Sequence, residues 1–343
     1  MITVRSVPLD DDRARALWAE QQQEIAERYD GEPDTDADFI QQMRPGDLLA
    51  SFLATDDAGE PIGTGLVRWS PYDTGAGSAE FKRLYVTPSH RGRGHSRVIM
   101  GAMERAAWRA GAVRAVLETG TEQPEAMGLY RRIGYAEIPN FGPYQDDPRS
   151  VCFGKELPTR VLLLNGTMGA GKTEILGATL AVLTDAGARA AAIDGDWLCQ
   201  AYPHHDEADP HNDRLLVENL TAVAPNYRRG GYGLMLVARA VEDPRTREAY
   251  ARAFADPVAG PAQVAIVRID ASEETRQARL KAREPEGFYE SFARHRTVEL
   301  QESLEALDLD DAVVENDGAD RYEVARAVLS AADWWVAGEE PLG

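Results

Sequence analysis

One segment of the sequence has the composition and spacing of a phosphate-binding loop. It reads GTMGAGKT, matches the G-x-x-x-x-G-K-[ST] pattern, and lies between an apolar run and a stretch of helical periodicity. Its glycines would let consecutive backbone N–H groups point inward at a polyphosphate, at the positive end of the next helix. The predicted nucleotide contacts are Gly166, Thr167, Met168, Gly169, Ala170, Gly171, Lys172 and Thr173. The alternative is a glycine-rich turn with a chance lysine.

Two carboxylates follow the next predicted strand of the same half. That strand ends in IDGDW, which puts Asp194 and Asp196 at the carboxyl edge of a parallel sheet, where such sheets bind ligands. One carboxylate could accept a hydroxyl proton while the other helps to hold Mg²⁺. The alternative is a solvated loop capped by aspartates, which Asp-Gly-Asp alone does not exclude. The predicted phosphate-binding loop beside the pair favours the catalytic interpretation.

A second glycine-containing loop lies in the first half of the chain. The run FKRLYV predicts a strand, and RGRGHS then opens a predicted helix. Backbone amides at a helix start favour a diphosphate, and the loop lacks the lysine and the length of a nucleotide loop. The residues predicted to contact this second cofactor are Val86, Arg91, Gly92, Arg93, Gly94, His95 and Ser96.

The phosphate-loop half resembles the small-molecule P-loop kinases, a group that includes shikimate kinase, adenylyl-sulfate kinase and chloramphenicol phosphotransferase. By that resemblance ATP is the donor, Asp196 is the base or acceptor-hydroxyl contact, and Asp194 is the carboxylate on the Mg²⁺ side. Arg276, Arg279 and Arg283 occupy the place of the lid arginines, of which Arg279 and Arg283 are expected to act catalytically. An exposed helix face paired with glutamates is the alternative for each arginine.

One feature departs from the kinase pattern. The third-strand region GYGLMLVARAVED has no apolar run ending directly in aspartate, so Mg²⁺ would depend on Thr173 and Asp194. We expect the phosphoryl acceptor to bind within residues 197–232. That segment contains His204, His205, His211, Arg214, Arg228 and Arg229. Its histidines suggest either a metal site or, as we prefer, a solvated loop.

The first half resembles the GCN5-related N-acetyltransferases (GNAT). Arg91 and Gly94 match the Arg/Gln-x-x-Gly-x-Gly/Ala pattern, with Ser96 replacing the last small residue, and LETGTEQPEAMGLYRRIGY is a second match further on. The resemblance implies acetyl-CoA as cofactor. It also implies that Tyr130 protonates the leaving thiolate and that Glu80 takes the proton of the incoming ammonium, since only a neutral amine attacks a thioester.

Packing roles remain open for both residues. Tyr130 could be a half-buried helix aromatic packed on the core, and Glu80 could be a surface charge at a strand edge. The sequence alone does not separate these alternatives from the catalytic ones.

Composition excludes some partners. The 343 residues carry a formal charge of −20, which disfavours nucleic acid and anionic membrane surfaces. Cys152 and Cys199 are too few for a disulfide framework, and no apolar run has the length of a signal or a membrane span. We therefore expect a cytoplasmic protein.

The periodicity of the chain predicts an α/β protein of two domains, 1–156 and 157–343. In the first half, short alternating strands and helices predict an α+β domain with a mixed, largely antiparallel sheet. In the second half, apolar runs alternating with helices predict a parallel sheet flanked by helices.

Several functions agree with these features. The leading hypothesis is a bifunctional transferase that acetylates an amine and phosphorylates a hydroxyl on small molecules, as in drug inactivation, self-resistance or specialised metabolism. A second keeps one half catalytic and makes the other a sensor of coenzyme A or nucleotide. A third is an acetyltransferase that modifies proteins.

Overall fold

A computed structural model describes residues 2–31, 43–44, 46–201, 209–283 and 287–334. The chain divides into two compact units, one running to Leu157 and the other starting at Pro158. Both units combine helices with a sheet. No helix among these residues is long and apolar enough to cross a bilayer.

The first unit contains seven strands and three described α-helices, with two short 3₁₀ turns at Pro88–His90 and Gly142–Tyr144. In chain order the elements are β1 (Thr3–Val7), α1 (Asp12–Tyr29), β2 (Leu48–Thr55), β3 (Pro61–Trp69), β4 (Ser78–Val86), α2 (His95–Arg109), β5 (Arg114–Gly120), α3 (Pro124–Arg132), β6 (Ala136–Ile138) and β7 (Ser150–Glu156). β2 and β3 are consecutive antiparallel neighbours and form a hairpin, whereas β6 has only three residues, too few to show a period.

The seven strands form one mixed sheet. Its order is β1-β2-β3-β4-β5-β7-β6, and every neighbouring pair is antiparallel except β4 with β5. Helix α2 packs closely on β3, where a Cβ at Gly63 or Gly65 would lie 2.8 Å or 2.5 Å from side-chain atoms of the helix. The predicted largely antiparallel sheet is confirmed, and its one parallel pair positions the site described below.

The second unit has five strands and seven described helices. They are β8 (Arg160–Asn165), α4 (Lys172–Asp185), β9 (Ala190–Asp194), α5 (Gly195–Leu198), α6 (Asp213–Arg229), β10 (Leu234–Ala238), α7 (Thr246–Ala253), β11 (Gln263–Asp270), α8 (Glu273–Arg283), α9 (Phe288–Leu307), β12 (Ala312–Glu315) and α10 (Arg321–Ala331). The strand expected over GYGLMLVARAV is shorter, and β12 was not predicted.

All five strands of this sheet are parallel, in the order β12-β11-β8-β10-β9. β8 is buried throughout, with Val161 and Leu163 in one apolar cluster and Leu162 and Leu164 in another. The chain moves from β8 to one edge of the sheet and later crosses to β11 on the other side. In open α/β sheets ligands commonly bind at such a switch point, beyond the carboxyl ends of the strands, and here GTMGAGKT follows β8.

Candidate functional site

Strands β4 and β5 separate part of the way along their length. Their parallel pairing runs from Ser78 opposite Arg114 to Phe81 opposite Leu117 and ends there. Beyond that point β4 continues with β3 to Val86, and β5 continues with β7 to Gly120. The facing backbone groups of the two strands therefore border an open wedge between them, which we call the β4–β5 wedge.

A backbone irregularity lies at the start of the wedge. Arg83 has a φ of 56°, which is uncommon for a residue with a Cβ, and the β3–β4 register shifts between Thr64 and Leu66. The amide of Gln21 in α1 donates to the Leu84 carbonyl at 2.8 Å. Bulges of this kind redirect backbone groups, so the β4 side of the wedge presents its donors and acceptors out of regular register.

The loop after β4 opens onto the start of α2. Gly92 and Gly94 have φ values of 74° and 82°, and a Cβ on either would meet no atom within 4 Å. Gly94 is the N-cap residue and supplies no side-chain cap, so the first N–H groups of α2 are available to a ligand. Arg93, His95 and Ser96 lie in this accessible stretch. The loop therefore has room and donors for a diphosphate.

Arg91 holds this loop in place. Its Nε donates to the Val86 carbonyl at 2.8 Å, its Nη1 donates to Glu24 at 2.9 Å, and its guanidinium lies over the Tyr85 ring. The hydrogen bond from Arg91 lowers the pKa of Glu24, and the same contact raises the pKa of Arg91. The predicted cofactor contact thus ties the loop to β4 and α1.

Tyr130 lies on α3 and is 6% exposed. Its ring packs against Phe153 and Tyr135, with centroids 5.6 and 6.1 Å apart. Burial, and then the charge of Glu118, raise the pKa of its hydroxyl above the ordinary tyrosine value. A hydroxyl in this state stays protonated near neutral pH, which suits a proton donor and also agrees with a packing role.

Glu80 is fully buried in β4 and pairs across the sheet with Arg68 of β3. Arg68 donates to Glu80 Oε2 from Nε at 2.8 Å and from Nη2 at 2.7 Å. Among the described residues, Glu80 Oε1 has no hydrogen-bond partner, although Lys82 Nζ lies 3.8 Å away. The alternative that Glu80 is an exposed strand-edge charge is therefore wrong, because the sheet removes it from water.

Sequence reasoning missed three groups on the same face of the sheet. Lys82 and Glu118 are the first residues of β4 and β5 beyond the last paired residues, and Lys82 Nζ donates to the Tyr144 hydroxyl at 2.5 Å. Ser150 Oγ donates to Glu118 at 2.8 Å. Burial raises the pKa of Glu118, against the opposing effects of Lys82 and Ser150. Alternation along β4 from Glu80 could have found Lys82, whereas Glu118, although it lies within the quoted LETG motif, is related to them only through the β4–β5 register.

In the second unit, the loop between β8 and α4 depends on its glycines. Gly166, Gly169 and Gly171 have φ values of 139°, 83° and 101°. A Cβ at Gly166 would lie 2.4 Å from the Ile269 carbonyl oxygen, and one at Gly169 would lie 2.8 Å from the Arg276 carbonyl oxygen. Thr167 Oγ1 is buried and has no hydrogen-bond partner among the described residues. The loop is therefore tightly curled, with backbone donors at a helix start.

Lys172 and Thr173 begin α4 at the end of this loop. Lys172 Nζ donates to the carbonyls of Gly166 and Thr167 at 2.9 and 3.1 Å, and removal from water lowers its pKa from 10.5 to about 8. Thr173 Oγ1 donates to Asp194 Oδ2 at 2.9 Å. The two predicted Mg²⁺ ligands thus lie in contact, at the carboxyl edge of the sheet.

Asp196 has a partner that the sequence did not suggest. Arg239, the residue after β10, donates from Nη1 to Asp196 at 2.5 Å and from Nη2 to Asp213 at 3.0 Å. Arg239 is 9% exposed, whereas the Asp196 side chain is 62% exposed. A cation therefore occupies the end of β10, where the expected kinase pattern has an acid.

The three arginines of α8 differ in their surroundings. Arg276 is buried and donates to Gln301 at 2.6 Å. Arg279 donates to the carbonyls of Ala170 at 3.1 Å and Asn316 at 2.8 Å, so it links the loop between β8 and α4 to the end of β12. Arg283 is exposed and close enough for its charge to act on Lys172. A phosphoryl-facing role for Arg279 or Arg283 remains a prediction.

The expected acceptor segment is described only in part. His204 and His205 lie outside the described residues, and the His211 carbonyl accepts from Arg239 at 2.6 Å. Arg228 pairs with Asp256 at 2.8 Å, while Arg229 hydrogen-bonds to Asn226. Arg214 lies in the first turn of α6. Within the described ranges no cluster of three or more His, Cys, Asp or Glu could hold a metal ion.

Comparison with known proteins identifies the first unit. Residues 13–135 match the acetyltransferase (GNAT) family. An IAA acetyltransferase from Azospirillum brasilense is 37% identical over 106 residues, which cover 31% of this chain and 67% of that protein. Acetyl-CoA is the acetyl donor that this family implies.

Solved structures also align with this part of the chain. A proposed acyl-CoA N-acyltransferase from Klebsiella pneumoniae is 30% identical, with 46% of this chain and 97% of that chain covered and a TM-score of 0.39. The ribosomal-protein-S18-alanine N-acetyltransferase from Escherichia coli is 17% identical, with 46% and 94% covered and a TM-score of 0.34. On the family match and the identity to the Azospirillum protein, the chain belongs to the GNAT acetyltransferase family.

Proposed function

We propose that the chain is a bifunctional transferase. Its first unit transfers the acetyl group of acetyl-CoA to the amine of a small molecule, and its second transfers a phosphoryl group of ATP to a hydroxyl. The observation that supports this best is that each unit has a glycine-containing loop opening onto an uncapped helix start, beside polar groups at a strand end.

Acetyl-CoA would supply an activated thioester carbonyl. Its diphosphate would be bound by the loop from Arg91 to Ser96, and its amide groups by backbone groups of β4 and β5 beyond the last paired residues. This assignment is supported by the open space at Gly92 and Gly94 and by the end of strand pairing after Phe81. The acetyl group would then lie near Lys82 and Glu118.

Two proton transfers accompany acetyl transfer. The acceptor ammonium loses a proton, its nitrogen forms a bond to the acetyl carbon, the carbon–sulfur bond breaks, and the thiolate takes up a proton. Tyr130 is the proposed donor to the thiolate because of its place in the GNAT-like match LETGTEQPEAMGLYRRIGY and its proximity to the charge of Glu118; its hydroxyl is protonated at neutral pH.

Glu118 and Glu80 are the candidate proton acceptors. Glu118 is favoured because its raised pKa makes it the stronger base and it lies where the strands part. One Glu80 oxygen is committed to Arg68. Glu118→Gln and Glu80→Gln, compared at saturating acetyl-CoA, separate the two, since only loss of the base should remove the pH dependence of turnover.

In the second unit the triphosphate would be bound by the residues of GTMGAGKT. This assignment is supported by the tight curl of the loop, in which a Cβ at Gly166 or Gly169 would lie too close to a backbone carbonyl oxygen. It is also supported by the buried Thr167 hydroxyl, which has no hydrogen-bond partner among the described residues. Mg²⁺ would neutralise phosphate charge, held by Thr173 and Asp194. Asp196 would orient the acceptor hydroxyl and take its proton, with Arg239 fixing the carboxylate.

A second candidate is that this unit binds ATP without transferring phosphate. The observation in its favour is Arg239 at the end of β10, where the kinase pattern has an acid, because a cation there disfavours a second metal ligand. Binding without turnover would support this candidate.

The test uses the full chain and supplies each donor separately to a panel of amines and alcohols. We expect acetylated products with acetyl-CoA and phosphorylated products with ATP, identified by mass spectrometry. Lys172→Ala should abolish the phosphorylated products and leave the acetylated ones unchanged. No calorimetric binding of either donor, or equal loss of both activities in Lys172→Ala, would refute the proposal of two independent transferase sites.

A further inference from the structure

The charges at the β4–β5 wedge are nearly balanced. Arg68 and Glu80 form a buried pair with exposed fractions of 2% and 0% for their side chains. Beyond them, Lys82 and Glu118 face the point where the strands part, and Lys82 remains 19% exposed. With both glutamates ionised the group sums to zero, and with Glu118 protonated it is positive.

Because these charges balance, an acceptor that carries a positive charge and no negative group is disfavoured. A simple amine is positively charged in water and would approach the Lys82 ammonium without a surplus of negative charge to offset the repulsion. An acceptor that also carries a negative group can meet both charges, its ammonium at Glu118 and its anion at Lys82. Such a ligand enters the site without leaving either side chain unpaired.

Two further features point to a ligand at this position. Tyr144 supplies a hydroxyl beside Lys82, and its ring packs edge-on against Phe141 with centroids 5.8 Å apart. The Phe141 ring in turn lies beside the Tyr72 ring, with centroids 6.0 Å apart. A polar end and an aromatic wall thus adjoin each other.

We propose that the acetyl acceptor is a free amino acid, bound with its carboxylate at Lys82 and Tyr144 and its amino group at Glu118. The proposal rests on the acetyltransferase activity proposed above and adds the class of its substrate. The aromatic wall of Tyr72, Phe141 and Tyr144 then borders the amino-acid side chain.

The test compares matched acceptors on the full-length chain with acetyl-CoA. Each common amino acid is supplied as the free acid, as its carboxamide and as its methyl ester, together with simple alkylamines. Thiol release and mass spectrometry of the N-acetyl product give kcat/KM. Because a charge-assisted contact is lost in the amide, we expect the free acid to be better by about 10- to 100-fold.

Lys82→Met should lower kcat/KM for the free acid by a larger factor than for the amide, mainly through KM, so that the ratio of acid to amide falls towards one. Lys82→Arg keeps the charge and should restore part of the loss. Lys155→Met is the matched control, since Lys155 forms an ion pair with Glu104 at 2.9 Å away from the wedge. It should not alter the preference for the acid.

Equal turnover of acids and amides would overturn the inference, and so would an equal loss on both in Lys82→Met. Turnover of alkylamines without amino acids would overturn it while leaving the acetyltransferase proposal intact. If no amine is acetylated although acetyl-CoA binds, the proposed amine acetylation fails and the inference fails with it. If Lys82→Met does not fold, the acid-against-amide comparison on the unmodified chain decides.

Discussion

Replacing Arg68 with methionine would remove the cation that hydrogen-bonds to the buried Glu80 carboxylate and would leave it, among the described residues, with only the Lys82 ammonium 3.8 Å from its other oxygen. Both side chains are almost fully buried, and Arg68 makes contacts of 2.8 and 2.7 Å to one Glu80 oxygen. Removing one partner of a buried ion pair typically costs about 3–5 kcal/mol, because the remaining charge loses its compensation. For a unit of this size that loss lowers the midpoint of thermal unfolding by about 6–20 °C.

The double variant Arg68→Met/Glu80→Met tests the cause. Two methionines remove the charge and keep most of the volume, so most of the lost stability should return. Urea unfolding of the full chain, followed by the near-ultraviolet signal of the first unit, gives the free energies. Arg131→Met is the surface control: Arg131 and Glu137 are 55% and 53% exposed, and the change should cost at most about 1 kcal/mol.

Two results would refute this reasoning. The first is a free energy of unfolding for Arg68→Met within about 1 kcal/mol of that of the unmodified chain, which would mean that Glu80 does not remain a buried unpaired charge after the change. If the double variant is as unstable as the single one, the loss comes from packing and not from charge.

Three further outcomes are expected. The pKa of Lys172 is lowered to about 8, so above that pH the free protein has lost this proton and must take it up again when ATP binds. The affinity for ATP should therefore fall as the pH rises above about 8. Calorimetry in buffers of different ionisation enthalpy should detect the proton uptake. An affinity independent of pH between about 7 and 10 would contradict a phosphate contact by this lysine. Tyr130→Phe should lower acetyl turnover by about 10²- to 10⁴-fold with little change in acetyl-CoA affinity, and a loss of affinity alone would contradict the acid role. Gly166→Ala should abolish ATP binding and destabilise the second unit, since its Cβ would lie 2.4 Å from the Ile269 carbonyl oxygen; normal binding by isothermal titration would show that the loop can widen.

The sequence predicted the long elements well because their patterns are local. Helix α4 (Lys172–Asp185) follows GTMGAGKT, where the sequence has helical periodicity, and β8 is buried on both faces, as its continuous apolar run indicates. The strands β6 and β12 were not predicted, because segments of three or four residues are too short to show a period.

Contacts between distant side chains were harder to predict from the sequence. Arg239 contacts Asp196 from a neighbouring strand, and Lys82 faces Glu118 across the wedge. Neither relation is visible without strand order and register. The burial of Glu80 likewise depends on Arg68 lying directly opposite in β3.

The strand order of the second sheet also bears on how that unit is made. In β8, Arg160 pairs with Leu234 and Gln263, roughly 70 and 100 residues further along the chain, whereas β1, β2, β3 and β4 pair in sequence. During synthesis the apolar segment VLLL of β8 therefore cannot pair with both β10 and β11 until most of its unit has left the ribosome. Because pairing between distant segments slows folding, we expect the second unit to fold more slowly than the first and its soluble yield to rise on expression at lower temperature.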